Sequence, residues 1–437
     1  MQDILFIILS MLLLICLIIY KNDIISPSIS FCSTFVICTL VALVNTNTWN
    51  LKLNSLALEI VFLGVFSFVL GTLTITGGSN LIRKNKHISS LNDNQYITLS
   101  KLRLIIFLLF QILIRVLQYY VIIKNVGGGS FNNVISTYHY MSEQDNLSYD
   151  PFLIRFGNII CNASGYLLGY ILVNNYFKTK VSSKLLIINV IIAILGSMLS
   201  GQRTDAFAII VSIIAYYFIF INRKKVWKLS FNIKRITIFG ILLFIFIISF
   251  KNLGMILGRG SDINSSDYIF SYLGAQIKNL SIITENNIVH SNIFGEQTFH
   301  QLYEVIGKYM GIDVSILPKT NNFSYNFVNG HPLGNVYSTF VPFFLDFGLK
   351  GVVVISFLMG GFSQYIYNRV KYISNYKDRY IDYSSILYGY IYFPIIFSFF
   401  SNKFFEMVFS IRLIYYMIAI FLLHLFFIRQ TLEDKNE

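Results

Sequence analysis

The sequence is poor in charge. Only 13% of its 437 residues are Asp, Glu, Lys or Arg, against 55% hydrophobic, and the mean hydropathy is +0.63. That balance excludes an ordinary water-soluble domain, in which about a quarter of residues are charged. Cysteine is scarce as well. Cys16, Cys32, Cys38 and Cys161 all fall within apolar runs. They have neither metal-ligand spacing nor a loop framework for disulfides, so they read as small core residues. Histidines are scattered and no Asp-x-Asp pair falls in the outer loops, so no metal cluster and no cofactor are expected. No strong internal repeat is visible.

What the chain does have is long apolar runs. Runs of about 20 residues are long enough to cross a bilayer core. They are uninterrupted rather than alternating, which selects helices over a barrel. The fold class is therefore an all-α polytopic membrane protein. About eleven spans are expected, at 4–20, 28–44, 56–75, 102–123, 152–173, 185–199, 206–221, 236–250, 347–367, 384–400 and 407–427. The runs at 185–199 and 236–250 are short for a full crossing, so they either extend into their flanks or thin the membrane locally. The first run lacks a basic start and a small-residue cleavage site and reads as a retained span.

The net charge of +13 raises the question of nucleic acid, but its distribution answers for a membrane and against nucleic acid. The excess sits in short loops between apolar runs. One set of loops carries Arg83, Lys84, Lys86, Lys101 and Arg103, then Lys178, Lys180 and Lys184. The same set continues with Arg223, Lys224, Lys225, Lys228, Lys234 and Arg235, then Arg369, Lys371, Lys377 and Arg379. Cytoplasmic loops carry such an excess. The N-terminus and the polar stretch 251–346 are then outside and the C-terminus inside. The chain divides into spans 1–8 (1–250), an extracytoplasmic cap (251–346), and spans 9–11 with a short cytoplasmic tail (347–437).

The cap mixes aromatics, glycines and single charges, as a folded lid over a membrane cavity would. Two helical stripes are visible in it, one at Ile269, Tyr272, Leu273, Ile277 and Leu280, the other at Phe299, Leu302, Ile306 and Met310. They predict two amphipathic helices on the outer face, packed against the bundle or the lipid surface. A second outer loop starts with Gly127-Gly128-Gly129-Ser130, which reads as a flexible linker.

Charges inside spans are the best pointers to function, because each costs at least ~2.5 kcal/mol near the bilayer centre unless it faces a cavity or a partner. Arg115, Arg155, Lys350 and Arg412 are in or at the edges of spans. Lys350 and Arg412 lie close enough to the surface to snorkel, whereas Arg115 lies deeper and favours a cavity. Arg203 follows Gly201 in a tight outer turn, where a cation at a helix start opposes the helix dipole. A ligand-binding reason is the better account there, since backbone N–H groups at that end also attract an anion. Arg259 in the cap lies at a similar height. Together these residues can form a basic pocket at headgroup level, suited to a phosphate group on a lipid. The acids and bases of the cap are Asp262, Asp267, His290, Glu296, His300, Glu304, Asp313, His331 and Asp346. His331 stands out within Gly330-His331-Pro332-Leu333-Gly334. Glu296 reads as either a base or a helix cap, and Asp346 as the partner of a nearby arginine.

The turn Ser200-Gly201-Gln202-Arg203-Thr204 resembles the Ser-Gly-x-Arg-Thr turn of the Wzy-type oligosaccharide repeat-unit polymerases, which make O-antigen and capsular polysaccharide. Phe294-Gly295-Glu296-Gln297-Thr298-Phe299 resembles a cap motif of that family. Asn335-Val336-Tyr337-Ser338-Thr339, followed by Asp346-Phe347-Gly348-Leu349-Lys350-Gly351, resembles its membrane re-entry segment. The likeness covers 185–369 and extends to the N-terminal third by hydropathy alone. That family usually has an even number of spans with both ends inside, from which eleven spans depart.

The resemblance implies a C-type glycosyltransferase fold in a bacterial cytoplasmic membrane, with no nucleotide-sugar donor. Donor and acceptor are then oligosaccharides on undecaprenyl pyrophosphate at the outer face, with a chain-length regulator and a flippase as protein partners. In that frame Arg203 and Arg259 grip the leaving pyrophosphate, supported by Arg115 or Arg155. His331 takes the acceptor proton, with Glu296 as the substitute, and Asn335, Tyr337, Asp346 and Lys350 complete the substrate site. The alternatives are an O-antigen ligase and a non-enzymatic transporter of lipid-linked sugars.

Overall fold

The computed structural model describes residues 1–82, 87–144, 151–180, 183–227, 265–285, 291–310, 323–373 and 381–433. The helices are α1 (Gln2–Ile19), α2 (Pro27–Val44), α3 (Ser55–Ile82), α4 (Lys101–Val126), α5 (Phe131–Gln144), α6 (Phe152–Thr179), α7 (Lys184–Gly196) and α8 (Thr204–Lys224). They continue with α9 (Ser265–Glu285), α10 (His300–Met310), α11 (Phe340–Lys371), α12 (Tyr383–Phe397), α13 (Lys403–Met407) and α14 (Ile411–Glu433). Two-residue strands β1 (His87–Ile88) and β4 (Tyr372–Ile373) pair antiparallel, as do β2 (Asn326–Val328) and β3 (His331–Gly334).

Among the described residues, eight helices are long and apolar enough to cross a membrane, and Lys184–Ser200 and Tyr383–Phe397 are shorter apolar ones. The protein is thus a helical, multi-pass membrane protein by architecture. The span expected at 236–250 lies outside the described residues. The described residues that flank it, Trp227 and Asp267, sit at opposite ends of the bundle, Trp227 bonded to Ser89 and Asp267 to His331.

Without a hydrophobic drive between helices in lipid, close packing relies on small residues. The α3–α11 pair shows this. A Cβ at Gly71 would lie 2.0 Å from the Phe357 carbonyl oxygen, and one at Gly360 would lie 2.1 Å from that of Phe68. The two backbones touch at these glycines. Around this pair the interior is aromatic and rich in tyrosine, with Tyr166, Tyr170, Tyr216, Tyr367, Tyr388, Tyr390 and Tyr392 fully buried. A buried phenol needs a partner for its hydroxyl. Tyr392 meets Ser30 at 2.9 Å, and Tyr216 and Tyr390 donate to the Ile386 and Met407 carbonyls, each at 3.3 Å.

The two ends of the bundle differ in charge. Apart from Lys124 at the other end of α4, Lys101 and Arg103 at its start, Lys178 at the end of α6, Lys184 at the start of α7, Arg223 and Lys224 at the end of α8, and Arg369 and Lys371 at the end of α11 gather at one end. There Ser89 Oγ donates to the Val370 carbonyl, and Asn174 and Asn175 hold the 95–97 segment. The described cap elements lie at the other end. Lys278 and Ser281 of α9 donate to the carbonyls of Asn50 and Lys52, between α2 and α3.

Of the two seats expected for the cap helices, α9 takes the bundle. Its residues Ala275 to Ser281 are buried, and Gly274 lies against Val41 and Ala42 of α2. α10 is more open, with Leu302 and Met310 exposed.

One expectation is corrected. The glycine run is a helix stop rather than a linker. Gly127 caps α4 in the left-handed conformation (φ 90°), and Gly128 and Gly129 also have positive φ (92° and 134°), turning the chain into α5. Such angles are open to glycine and strained for other residues. The short span α7 extends into its flank as a 3-10 turn, Ser197–Ser200, beneath α5, where Ile135 and Tyr138 pack with Met198 and Ala206.

Candidate functional site

The turn after α7 fixes the centre of the site. Gly201 has φ 77°, and a Cβ there would lie 2.6 Å from the His139 Cβ. Both facts require glycine. The turn delivers Arg203 as the N-cap residue of α8, buried to 6% exposure, with Asp205 in the first turn. Arg203 Nη2 donates to the Tyr272 hydroxyl of α9 at 3.4 Å, and its guanidinium lies 5.7 Å from the centre of that ring. A guanidinium over an aromatic face is held by both charge and packing. Tyr268 lies against Tyr272, the ring centres 4.7 Å apart and the planes tilted by 36°. Burial first, and then the neighbouring Tyr272, push the Tyr268 phenol up to about 12, against a pull downward from Arg203. The Tyr268 phenol therefore remains a donor at neutral pH.

Beside this turn lies a chain of charge-assisted bonds. Arg115 projects from a polar stripe on α4 that also holds Gln111 and Gln118, spaced to share one helix face. Its Nη1 donates to Asn158 Oδ1 at 2.7 Å and Gln118 Oε1 at 3.2 Å, and its Nη2 to Asn162 Oδ1 at 2.5 Å. Asn162 passes the link onward, its Nδ2 donating to Asp205 Oδ2 at 3.2 Å. The other Asp205 oxygen accepts from Arg412, which also reaches the Tyr416 hydroxyl at 3.3 Å. Arg115, Arg203 and Arg412 thus gather around the start of α8, on helices far apart in sequence. Arg412 is half-buried and pairs with Asp205. Arg155 lies on α6 on the same face as Asn158 and Asn162, half-buried.

The hairpin of the cap supplies the second group. Asn329 and Gly330, both with positive φ (50° and 78°), form its two-residue turn, the pattern that this turn favours. His331 follows at the start of β3, its Nδ1 3.2 Å from Asp267 Oδ2 at the start of α9. Asp267 and Tyr272 are five residues apart on that helix, roughly 7.5 Å along its axis. One turn and a half of α9 therefore joins the His331 pair to Arg203.

The other expected site residues divide. Asp346 has no arginine partner among the described residues. Its carboxylate accepts the backbone N–H groups of Gln297 at 3.1 Å and Thr298 at 2.7 Å, just before α10. That takes the capping role considered for Glu296, which is half-buried in the same turn. The Tyr337 hydroxyl is engaged within the hairpin, accepting from Asn326 at 2.9 Å and donating to the Ser324 carbonyl at 3.0 Å. Asn335 and Lys350 are exposed. Arg259 lies outside the described residues. Sequence reasoning passed over Asn158, Asn162, Asp205 and Tyr416. The amides left a signal, a four-residue spacing on α6 facing the polar stripe of α4. The chain matches no protein-family model, no curated protein and no solved structure.

Proposed function

We propose that this protein is a glycosyltransferase that polymerises lipid-linked oligosaccharide repeat units into a surface polysaccharide. The observation that carries the reading is the gathering of Arg115, Arg203 and Arg412 around the start of α8, beside the cap helix that holds His331. Such a group suits a diphosphate leaving group. Guanidiniums fixed in a low-dielectric interior stabilise charge as it develops, without reorganising. In the reaction, the bond between the donor sugar C1 and the diphosphate oxygen breaks, and its electron pair leaves with the carrier. The acceptor hydroxyl oxygen bonds to C1 and gives its proton to His331. The carriers are undecaprenyl pyrophosphates, as the resemblance of the Gly201–Arg203 turn implies. The positive-inside rule places the basic end in the cytoplasm, so transfer occurs at the outer face of the bacterial cytoplasmic membrane.

The test is the lipid-linked sugar profile of a deletion strain complemented with Arg203→Ala. Single repeat units should accumulate on the carrier and the polymer ladder should vanish, a loss of about 10²–10³-fold in rate. A normal ladder from a well-expressed variant overturns the reading.

A further inference from the structure

We infer that Asp267 is a positioning residue for His331, fixing which ring nitrogen takes the acceptor proton; the inference rests on the glycosyl-transfer reading above. An ionised carboxylate only accepts hydrogen bonds. With Asp267 Oδ2 3.2 Å from Nδ1, the proton of the neutral imidazole sits on Nδ1, and the lone pair is on Nε2. The His331 side chain is 37% exposed, so part of the ring is open to a substrate.

The surrounding bonds separate this role from a structural one. The hairpin backbone is already held to α9 without the carboxylate. Ser271 Oγ donates to the Pro332 carbonyl at 2.5 Å, and Asn279 Nδ2 to those of Gly334 at 3.3 Å and Val336 at 2.8 Å. The tip is held by Asn329, which donates to the Thr48 carbonyl at 3.1 Å. What the Asp267 contact adds is the orientation of one ring. A half-exposed ion pair contributes little to stability, so the fold has no need of it. In the reaction, the acceptor O–H proton moves to Nε2 as its oxygen bonds to C1 and the C1–diphosphate bond breaks. The imidazolium that results faces the Asp267 carboxylate, which stabilises it.

The experiment uses the full-length protein in lipid nanodiscs and lipid-linked repeat units extracted from cells lacking the protein. Asp267→Asn, which keeps the side-chain shape, should lower kcat on the order of 10²-fold and leave the acceptor KM unchanged. In a His331→Ala background the same substitution should cost nothing further, because the two groups act as one unit. Asp267→Glu should recover part of the rate. Wild-type turnover by Asp267→Asn, or equal losses in both backgrounds, overturns the inference and leaves the polymerase reading intact. Wild-type turnover by His331→Ala overturns the inference and the base role of His331 together, and leaves the arginine-based transfer reading. A wild-type protein that elongates nothing removes the reading and the inference together.

Discussion

At the basic end of the bundle, Arg223 is 1% exposed and pairs with the Asp382 carboxylate. It also donates to Ser385 Oγ at 3.0 Å and to the Val370 carbonyl and Asn94 Oδ1, each at 3.4 Å. Asp382 in turn accepts from Ser384 N at 3.0 Å and Ser385 Oγ at 2.6 Å, capping α12. One cation and one anion thus join four segments of chain. At the cap end, Arg115 is also buried and donates to the amide oxygens of Gln118, Asn158 and Asn162, the last of which donates on to Asp205. Burial alone does not separate the two arginines. What separates them is what their observed bonds do. The Asp382 carboxylate ties Arg223 to the start of α12, whereas the amides of α4 and α6 fix the direction in which the Arg115 guanidinium points.

The sharpest way to break this comparison is to remove the basic-end pair. Arg223→Ala strands the Asp382 carboxylate in the interior with two donors remaining. Breaking one partner from a buried pair costs about 3–5 kcal/mol, so thermal unfolding in detergent should show a large loss of Tm and yield should fall. Arg223→Leu combined with Asp382→Asn removes the stranded charge and keeps a capping side chain. That pair should recover most of the loss. A double variant as unstable as the single one would mean that Arg223 acts through packing.

Arg115→Ala tests the other side with a smaller expected cost. Asn158, Asn162 and Gln118 lose a donor, while Asp205 keeps Arg412. Unsatisfied buried amides cost about 1–3 kcal/mol. The Tm loss should be smaller than for Arg223→Ala, while polymer formation should fall further. A Tm loss equal to that of Arg223→Ala would erase the distinction between the two centres.

The spans were legible because hydrophobic runs encode depth, and each of those expected on described residues overlaps a helix. The gathering of basic helix ends was legible for the same reason. Partnerships were not, because hydropathy gives depth and no azimuth. Arg412 and Asp205 are 207 residues apart, and His331 and Asp267 are 64 apart. At the depth of Arg412, snorkelling and pairing look alike in the sequence. The brevity of α7 was visible, but its reason was not, since that depends on α5 folding over the Gly201 turn.

Asp346 gives the smallest effect and the finest discrimination. It is a carboxylate of the cap end, and the sequence pointed to an arginine as its partner. Its observed acceptor role is to the amides of Gln297 and Thr298, and the Thr298 carbonyl in turn accepts from Asn402 at 3.1 Å. Asp346→Asn keeps an oxygen for one of those amides but removes the charge that strengthens both bonds. The expected cost is about 1 kcal/mol, a Tm shift below that of Arg115→Ala, with Asp346→Ala losing more because neither bond survives. A carboxylate holding a buried arginine would instead show the stranded-cation cost of the Arg223 centre. The ratio of the Asp346→Asn and Arg223→Ala losses therefore reads out, in one unfolding series, whether this carboxylate serves a backbone or a side-chain charge.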